Sequence, residues 1–446
     1  MNVYRILLAT AFVGLGTMAA EARTWTLRQC IDYALENNIT LQKGKLQTQS
    51  AQEDVLQSQA ALLPSLSFNT NQNITFNPWP QTGRAIVAGD QVQASVDKVY
   101  YNGTYAINAN WTVWNGNVNH NTIKANKIAA EQAQLDNAVA ANSIQEQIAQ
   151  LYIQILYTLD AKKVSEAALA TSKRNEERGA EFVKAGSMSK ADQAQLSAQR
   201  AQDEYSVAQA EGNVREYTRQ LKQLLQITDS EPFEVVADDG ATPSALQDIP
   251  SMQAVYDAAL ASRPEIKNAQ LGIQASDINI KIAKAGKLPT VGLSAGLTTN
   301  TTTMSGNAWS SQLKNNFNIG AGFTVSVPLT DQRKTKTAVN KAQIQRMSYE
   351  LDLRDKQTQL YAAIENYWIQ ANTNQSMYKA AQASTESAKA SYDLLNEQFN
   401  LGMKNVVELL TGRDNMLKAQ QSELQSKYLT MLNINMLNFY KSGNIQ

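Results

Sequence analysis

Between residues 144 and 159 apolar side chains recur as Ile144, Ile148, Leu151, Ile155 and Leu159, at spacings of four and three. That spacing lays one apolar stripe along a helix. Val207, Val214 and Leu221, and later Leu410, Leu417, Leu424 and Met431, recur every seven residues, which predicts coiled-coil seams. Elsewhere the period falls to two. Leu66, Phe68 and Thr70, then Tyr105, Ile107, Ala109, Trp111 and Val113, alternate with Asn, Ser and Thr. Val291, Leu293, Ala295 and Leu297, then Phe317, Ile319, Ala321, Phe323, Val325 and Val327, alternate with small or polar residues. Strands of this kind carry one apolar and one hydrophilic face. With aromatics such as Phe68, Phe76, Trp111, Trp114 and Phe317 near their ends, they also fit the transmembrane β-strand.

The pattern is written twice. Shifted by 225, Asp32-Tyr33-Ala34-Leu35 meets Asp257-Ala258-Ala259-Leu260 and Leu63-Pro64 meets Leu288-Pro289. Shifted by 216, Leu135-Asp136 meets Leu351-Asp352, Ile144 meets Leu360, Ile148 meets Ile364 and Gly186 meets Gly402. The period is too long for a solenoid, so one long supersecondary unit is duplicated. Residues 81–231 and 329–446 contain no proline and can hold long unbroken helices. Gly186 and Gly402 fall midway in these tracts, as the left-handed turn of a helical hairpin requires. The first repeat is therefore read as 23–225, with a helix at 26–63, strands at 66–76 and 104–114, and a hairpin at 118–225 with its tip near 186. The second is 251–440, with a helix at 251–288, strands at 290–298 and 317–328, and a hairpin at 332–440 with its tip near 402. Residues 226–250 link the repeats, 441–446 form a tail, and the Asn-, Thr- and Gly-rich stretches 77–104 and 299–316 read as exposed loops.

Residues 1–22 combine Arg5, an apolar stretch from Ile6 to Leu15 and the small-x-small sequence Ala20-Glu21-Ala22, which reads as a secretory signal peptide. No later window approaches the run of apolar residues that a spanning helix needs. Membrane contact then falls to the strands. With 40 Lys+Arg against 40 Asp+Glu, the chain has no global field to attract nucleic acid. One His (His120) and one Cys (Cys30) cannot build a Cys/His zinc site or an intrachain disulfide. His120 stands among Asn117, Asn119 and Asn121 as a solvated side chain, and Cys30 reads as a small apolar residue in a helix. The carboxylates are scattered along helices and no phosphate-binding glycine loop occurs, so neither a metal, a cofactor nor an enzymatic activity is expected.

A four-stranded sheet in a bilayer cannot leave its edges open, and the smallest usual barrel has about eight strands. The chain must therefore oligomerise if its strands insert; two copies give eight strands and three give twelve. The duplicated order of helix, strand, strand and hairpin, with the Leu63-Pro64 and Leu288-Pro289 junctions, resembles the TolC family of outer-membrane efflux proteins. The strand exit Val113-Trp114-Asn115-Gly116 and the tips Gly186-Ser187-Met188-Ser189-Lys190-Ala191-Asp192 and Gly402-Met403-Lys404-Asn405-Val406-Val407-Glu408 are family-like too. The second exit, Pro328-Leu329-Thr330-Asp331, departs, with Gln332-Arg333 where glycines are usual.

That resemblance implies an α+β membrane protein in which a homotrimer forms a 12-stranded β-barrel in the outer membrane of a Gram-negative bacterium, continued by a periplasmic α-helical coiled-coil barrel. It implies a passive exit duct working with a periplasmic adaptor and an inner-membrane pump, and it makes the 226–250 linker a belt outside the tube. It also implies a gate at the hairpin tips: Asp192 as the acid of the first hairpin, Lys404 as the base of the second, Phe399 as the aromatic before the second tip, and Glu408 as an acidic ring, with Thr411 where a second acid is expected.

Overall fold

The computed structural model describes residues 23–79, 82–87, 90–95, 97–228, 233–236 and 245–443. The signal peptide, about half of the linker and the end of the tail lie outside the described residues. In chain order the elements are β1 (Arg23–Trp25), α1 (Leu27–Asn37), α2 (Ile39–Ala60), β2 (Ser65–Phe76), β3 (Thr82–Val87), β4 (Asp90–Ser95), β5 (Val99–Trp114), α3 (Val118–Lys184) and α4 (Lys190–Leu225). Then follow β6 (Phe233–Val235), α5 (Met252–Ser262), α6 (Pro264–Ala285), β7 (Thr290–Thr302), α7 (Trp309–Asn315), β8 (Asn318–Ser326), α8 (Lys334–Asn400) and α9 (Val406–Ser442). They divide into two compact units, one drawn from Met1–Lys43, Asn137–Pro264 and Gln357–Gln446, the other from Gly44–Asp136 and Glu265–Lys356. No helix among the described residues is long and apolar enough to cross a membrane.

The second unit holds an antiparallel sheet in the order β2-β5-β7-β8. Its register puts the alternating apolar residues in rows. Phe68, Ile107, Leu297 and Ile319 lie side by side across the four strands, as do Leu66, Ala109, Ala295 and Ala321. Trp111, Leu293 and Phe323 form the next row. Leu66, Phe68, Ile74, Ile319 and Phe323 are exposed in the single chain, so this face has no protein covering within it. The intervening rows, such as Ser67, Asn108, Gly296 and Gly320, or Asn69, Ala106, Thr298 and Asn318, form a hydrophilic face. Among the described residues β2 and β8 each have one unpaired edge.

The structure differs from the sequence reading in three places. The single helices expected at 26–63 and 251–288 are each broken, at Asn38 and at Arg263, both in extended backbone. Pro264 disfavours helix at the residue before it. In the first repeat Asn38 does the same work with its side chain, whose Oδ1 accepts from the Thr40 N–H at 2.9 Å to start α2. The expected loops are also shorter: 77–104 contains the β3–β4 hairpin and the first residues of β5, and 299–316 contains the end of β7 and the short helix α7. The polar run Asn102-Gly103-Thr104 hides the strand period there, while Gln312 anchors α7 by receiving the Thr302 N–H at 2.7 Å and donating to the Thr302 carbonyl at 3.0 Å. Finally, α9 continues through Ser442, two residues into the expected tail.

Duplication extends to the turns. Gly116 and Asn117 both have positive φ, and so do Gln332 and Arg333, 216 residues later. In each turn a side-chain oxygen caps the following long helix: Asn115 Oδ1 accepts from the Asn119 N–H at 3.2 Å and Asp331 Oδ2 from the Thr335 N–H at 2.8 Å. The missing glycines at the second exit thus leave the turn unchanged. At the first, a Cβ on Gly116 would lie 3.0 Å from Leu288, so a side chain there would push Leu288 aside, whereas the φ itself is adopted by Gln332 in the second turn.

The first unit is held by burial of Trp25, Ile31, Ile148, Tyr152, Ile155, Leu221, Leu225 and Met436 in one cluster. β1 pairs in parallel with β6, and the Tyr152 hydroxyl reaches the Trp25 and Val236 carbonyls beside them. Cys30 is fully buried, and burial pushes its thiol up to about 12. The guanidinium of Arg263 lies 2.9 Å from Glu146 Oε1 and 4.1 Å above the Tyr440 ring.

Candidate functional site at the hairpin tips

Both hairpin tips are built alike from the backbone outward. Gly186 has φ +74° and Gly402 φ +73°. The Gly186 and Ser187 N–H groups donate to the Val183 and Phe182 carbonyls at 3.0 and 2.9 Å, and Gly402 and Met403 donate to Phe399 and Gln398 at 2.9 Å each. These are Schellman motifs that satisfy the last carbonyls of α3 and α8. A Cβ would meet nothing within 4 Å at either glycine, so conformation alone requires glycine. The chain then restarts a helix three residues later. Ser189 Oγ accepts from the Asp192 N–H at 3.0 Å, and Asn405 Oδ1 accepts from the Glu408 N–H at 2.9 Å while Glu408 reaches back to the Asn405 N–H at 3.3 Å.

Capping therefore decides where the tip charges sit. Asp192 Oδ2 receives the Ser189 hydroxyl at 2.7 Å. Lys404 Nζ lies 2.5 Å from Glu408 Oε1, one helical turn away. The hydrogen bond from Lys404, then that from the Asn405 N–H, holds the Glu408 carboxyl below the usual carboxylate range. A groove of about 580 Å³ between the tips is lined by Asp192, Phe399, Lys404 and Glu408. The expected acid–base lock is a different matter: within one chain Asp192 and Lys404 are each engaged by their own helix rather than by one another. Phe399 is packed inside the chain. It is 2% exposed, edge-on to Phe182 with ring centroids 6.2 Å apart, in a cluster with Leu196, Tyr392, Val406 and Leu409. A ring without a hydroxyl has nothing to keep it in water. Thr411 is exposed and turns its hydroxyl onto the Val407 carbonyl at 2.8 Å.

With fold and tips in place, the comparison with known proteins is decisive. The sequence profile of the outer membrane efflux protein family matches residues 30–225 and 255–438. The chain belongs to that family. It is an outer-membrane protein, and the family consists of channel proteins. It is 24% identical over 422 residues to protein CyaE of Bordetella pertussis, covering 91% of this chain and 83% of that one. To outer membrane protein TolC of Vibrio cholerae it is 21% identical over 428 residues, covering 94% and 91%. Its fold superposes on the crystal structure of CusC with a TM-score of 0.79 at 16% identity, covering 94% of this chain and 92% of that one.

In this member of the efflux family, a buried ion pair that sequence reading missed lies behind the tips. Arg413 Nη2 is 2.5 Å from Asp203 Oδ1, with side-chain exposures of 3% and 7%. Gln199 donates to the same Asp203 oxygen at 3.0 Å, and Arg413 Nη1 lies 3.2 Å from Asp414. The pair joins α4 of the first hairpin to α9 of the second. A signal existed: Asp203 falls seven residues after Leu196 and seven before Ala210, an acid on a coiled-coil seam, where a polar residue fixes register at a cost in stability.

Two contacts inside the hairpins complete the region. A Cβ on Gly179 of α3 would lie 2.6 Å from Leu196 Cδ1 of α4, and one on Gly412 of α9 would collide with Leu395 Cδ1 of α8. Residues 179 and 395, like 196 and 412, are related by the 216-residue shift. Each hairpin thus has one leucine in one glycine notch, with the partners exchanged between its helices. The first hairpin is also clipped by ion pairs, Lys162–Glu211 at 3.3 Å and Arg200–Glu176 at 2.8 Å. The equivalent positions in the second hold Tyr378, Lys427, Met416 and Tyr392, which cannot repeat them.

Proposed function

We propose that three copies of this chain close a 12-stranded barrel in the outer membrane, continued by a tube of helical hairpins, and that the assembly is a passive exit duct. The observation that carries this reading is the sheet β2-β5-β7-β8, apolar on one face, hydrophilic on the other and open at both edges. Lipid offers no partner to an open edge. Because the number of strands is even and all neighbours are antiparallel, β8 of one copy and β2 of the next run antiparallel, so the ladder can continue from chain to chain. Exposed apolar residues Ile344, Met347 and Leu351 along α8, and Leu46 and Leu56 on α2, give the helical part surfaces that neighbouring copies would cover.

In this reading the tips face the periplasm and meet an adaptor that couples the duct to an inner-membrane pump. The pump supplies the energy and the duct does no chemistry. Gly186 and Gly402 shape the entrance, Asp192, Lys404 and Glu408 set its charge, and Thr411 adds a neutral hydroxyl. The Lys404–Glu408 contact makes the acidic ring partly self-neutralised. Planar-bilayer recording tests this. The purified protein should give discrete conductance steps without any energy source. Lys404→Met should raise cation preference by freeing Glu408, and Glu408→Gln should lower it. No conductance from wild type or from Asp192→Lys, a variant that should widen the entrance by repulsion of Lys404, would refute the duct.

A further inference from the structure

None of the 12, 16, 13 and 9 residues of β2, β5, β7 and β8 is charged, in a chain of which 18% of residues are. The charges of this part of the sequence, Arg84, Asp90, Asp97, Lys98 and Lys314, all fall in the connecting stretches 77–98 and 303–317. Lipid accounts for only half of this. A charge on the apolar face would be expelled by the bilayer, but the opposite face of a membrane barrel meets water and tolerates charge. That face is nevertheless built from Asn69, Asn71 and Asn73 on β2, Asn102, Asn108 and Asn110 on β5, and serines, threonines and glycines on β7 and β8. Several of its amides spend donors on the wall itself: Asn69 Nδ2 donates to Ser67 Oγ at 3.2 Å and Asn73 Nδ2 to Thr75 Oγ1 at 3.3 Å.

We infer that the strand-lined section of the duct is blind to charge, and that it passes polar cargo of either sign, or none, by hydrogen bonding alone. This rests on the reading that the hydrophilic face lines the lumen. Rings of like charge in a low-dielectric wall create wells or barriers of several kT for ions. Amides and hydroxyls offer donors and acceptors to water and cargo without a net potential, so nothing in this section retains an anion in preference to a cation. Any discrimination by charge is then exercised before cargo reaches the sheet, among the charged helices and their tips.

Thiol labelling in the intact protein tests the inference. Asn108→Cys is treated with a cationic and, separately, an anionic methanethiosulfonate of similar size, and the ratio of rates is divided by the ratio for free cysteine. Native Cys30 remains in place, since it is fully buried and its thiol is pushed up to about 12. The expected normalised ratio is near one. Adding Asn110→Asp, on the same face, should raise it several-fold, which calibrates the assay. A several-fold preference for either reagent in Asn108→Cys alone would overturn charge blindness while leaving the duct intact. Labelling of Ile107→Cys but not Asn108→Cys by these membrane-impermeant reagents would instead overturn the facing of the sheet, and with it the barrel reading on which the inference rests.

Discussion

Arg413 and Asp203 form a buried pair that is short of hydrogen bonds: Asp203 Oδ2 and Arg413 Nε have no protein partner. Asp203→Ala should therefore cost about 3–5 kcal/mol in a denaturation experiment by leaving the buried guanidinium only its contact with the more exposed Asp414, whereas Asp203→Leu with Arg413→Met should be neutral or stabilising. The glycine notches give a second test. Gly412→Leu alone overfills its site; adding Leu395→Gly recreates the arrangement of the first hairpin, and the two changes should couple by about 0.5–3 kcal/mol in a double-mutant cycle. For Glu408 the folded value lies below the unfolded one, so its contribution is complete above the ordinary carboxylate pKa of about 4.3 and disappears as pH falls through the lowered value. An NMR titration of the Glu408 side chain should show that depression, and Lys404→Met should remove most of it. The tip glycines were legible because their meaning is local. Arg413 and Asp203 stand 210 residues apart, and only the folded hairpins bring them together. The packing of Phe399 was hidden for a related reason: its place before a tip is visible in the sequence, but its burial depends on Phe182 and Leu196.

At the scale of elements, periodicity was the dependable guide. The two-residue alternation from Ile319 to Val325 became one face of β8, level with Leu297 and Leu293 of β7. Ile319→Arg should then cost about 2–4 kcal/mol of insertion stability near the bilayer midplane, while Asn318→Arg on the opposite face should be tolerated. Equal losses in a refolding titration into lipid vesicles would show that the faces are misassigned. Element ends were harder to read. Pro264 carries the signal for its helix break, which the reading of 251–288 as one helix passed over, and Asn38 makes the same break through a side-chain cap, a role that asparagine plays only in context. Gln332 and Arg333 likewise take the left-handed conformations of Gly116 and Asn117 despite the steric cost. The Asp331 cap on the Thr335 N–H and the helix that follows hold the turn.

For the whole molecule, duplication within the chain and the proposed repetition between chains answer the same physical demand. One repeat supplies two strands and the chain supplies four, fewer than a closed barrel needs, so in the proposed duct the sheet is completed by further copies. The sequence shows this incompleteness but leaves the number of copies open, because eight and twelve strands both satisfy closure. Native mass spectrometry of the protein extracted from outer membranes in mild detergent decides it. A single species with the mass of three mature chains is expected, resistant to detergent and dissociating to one chain only on heating. A monomer or a dimer as the intact species would contradict the trimeric duct.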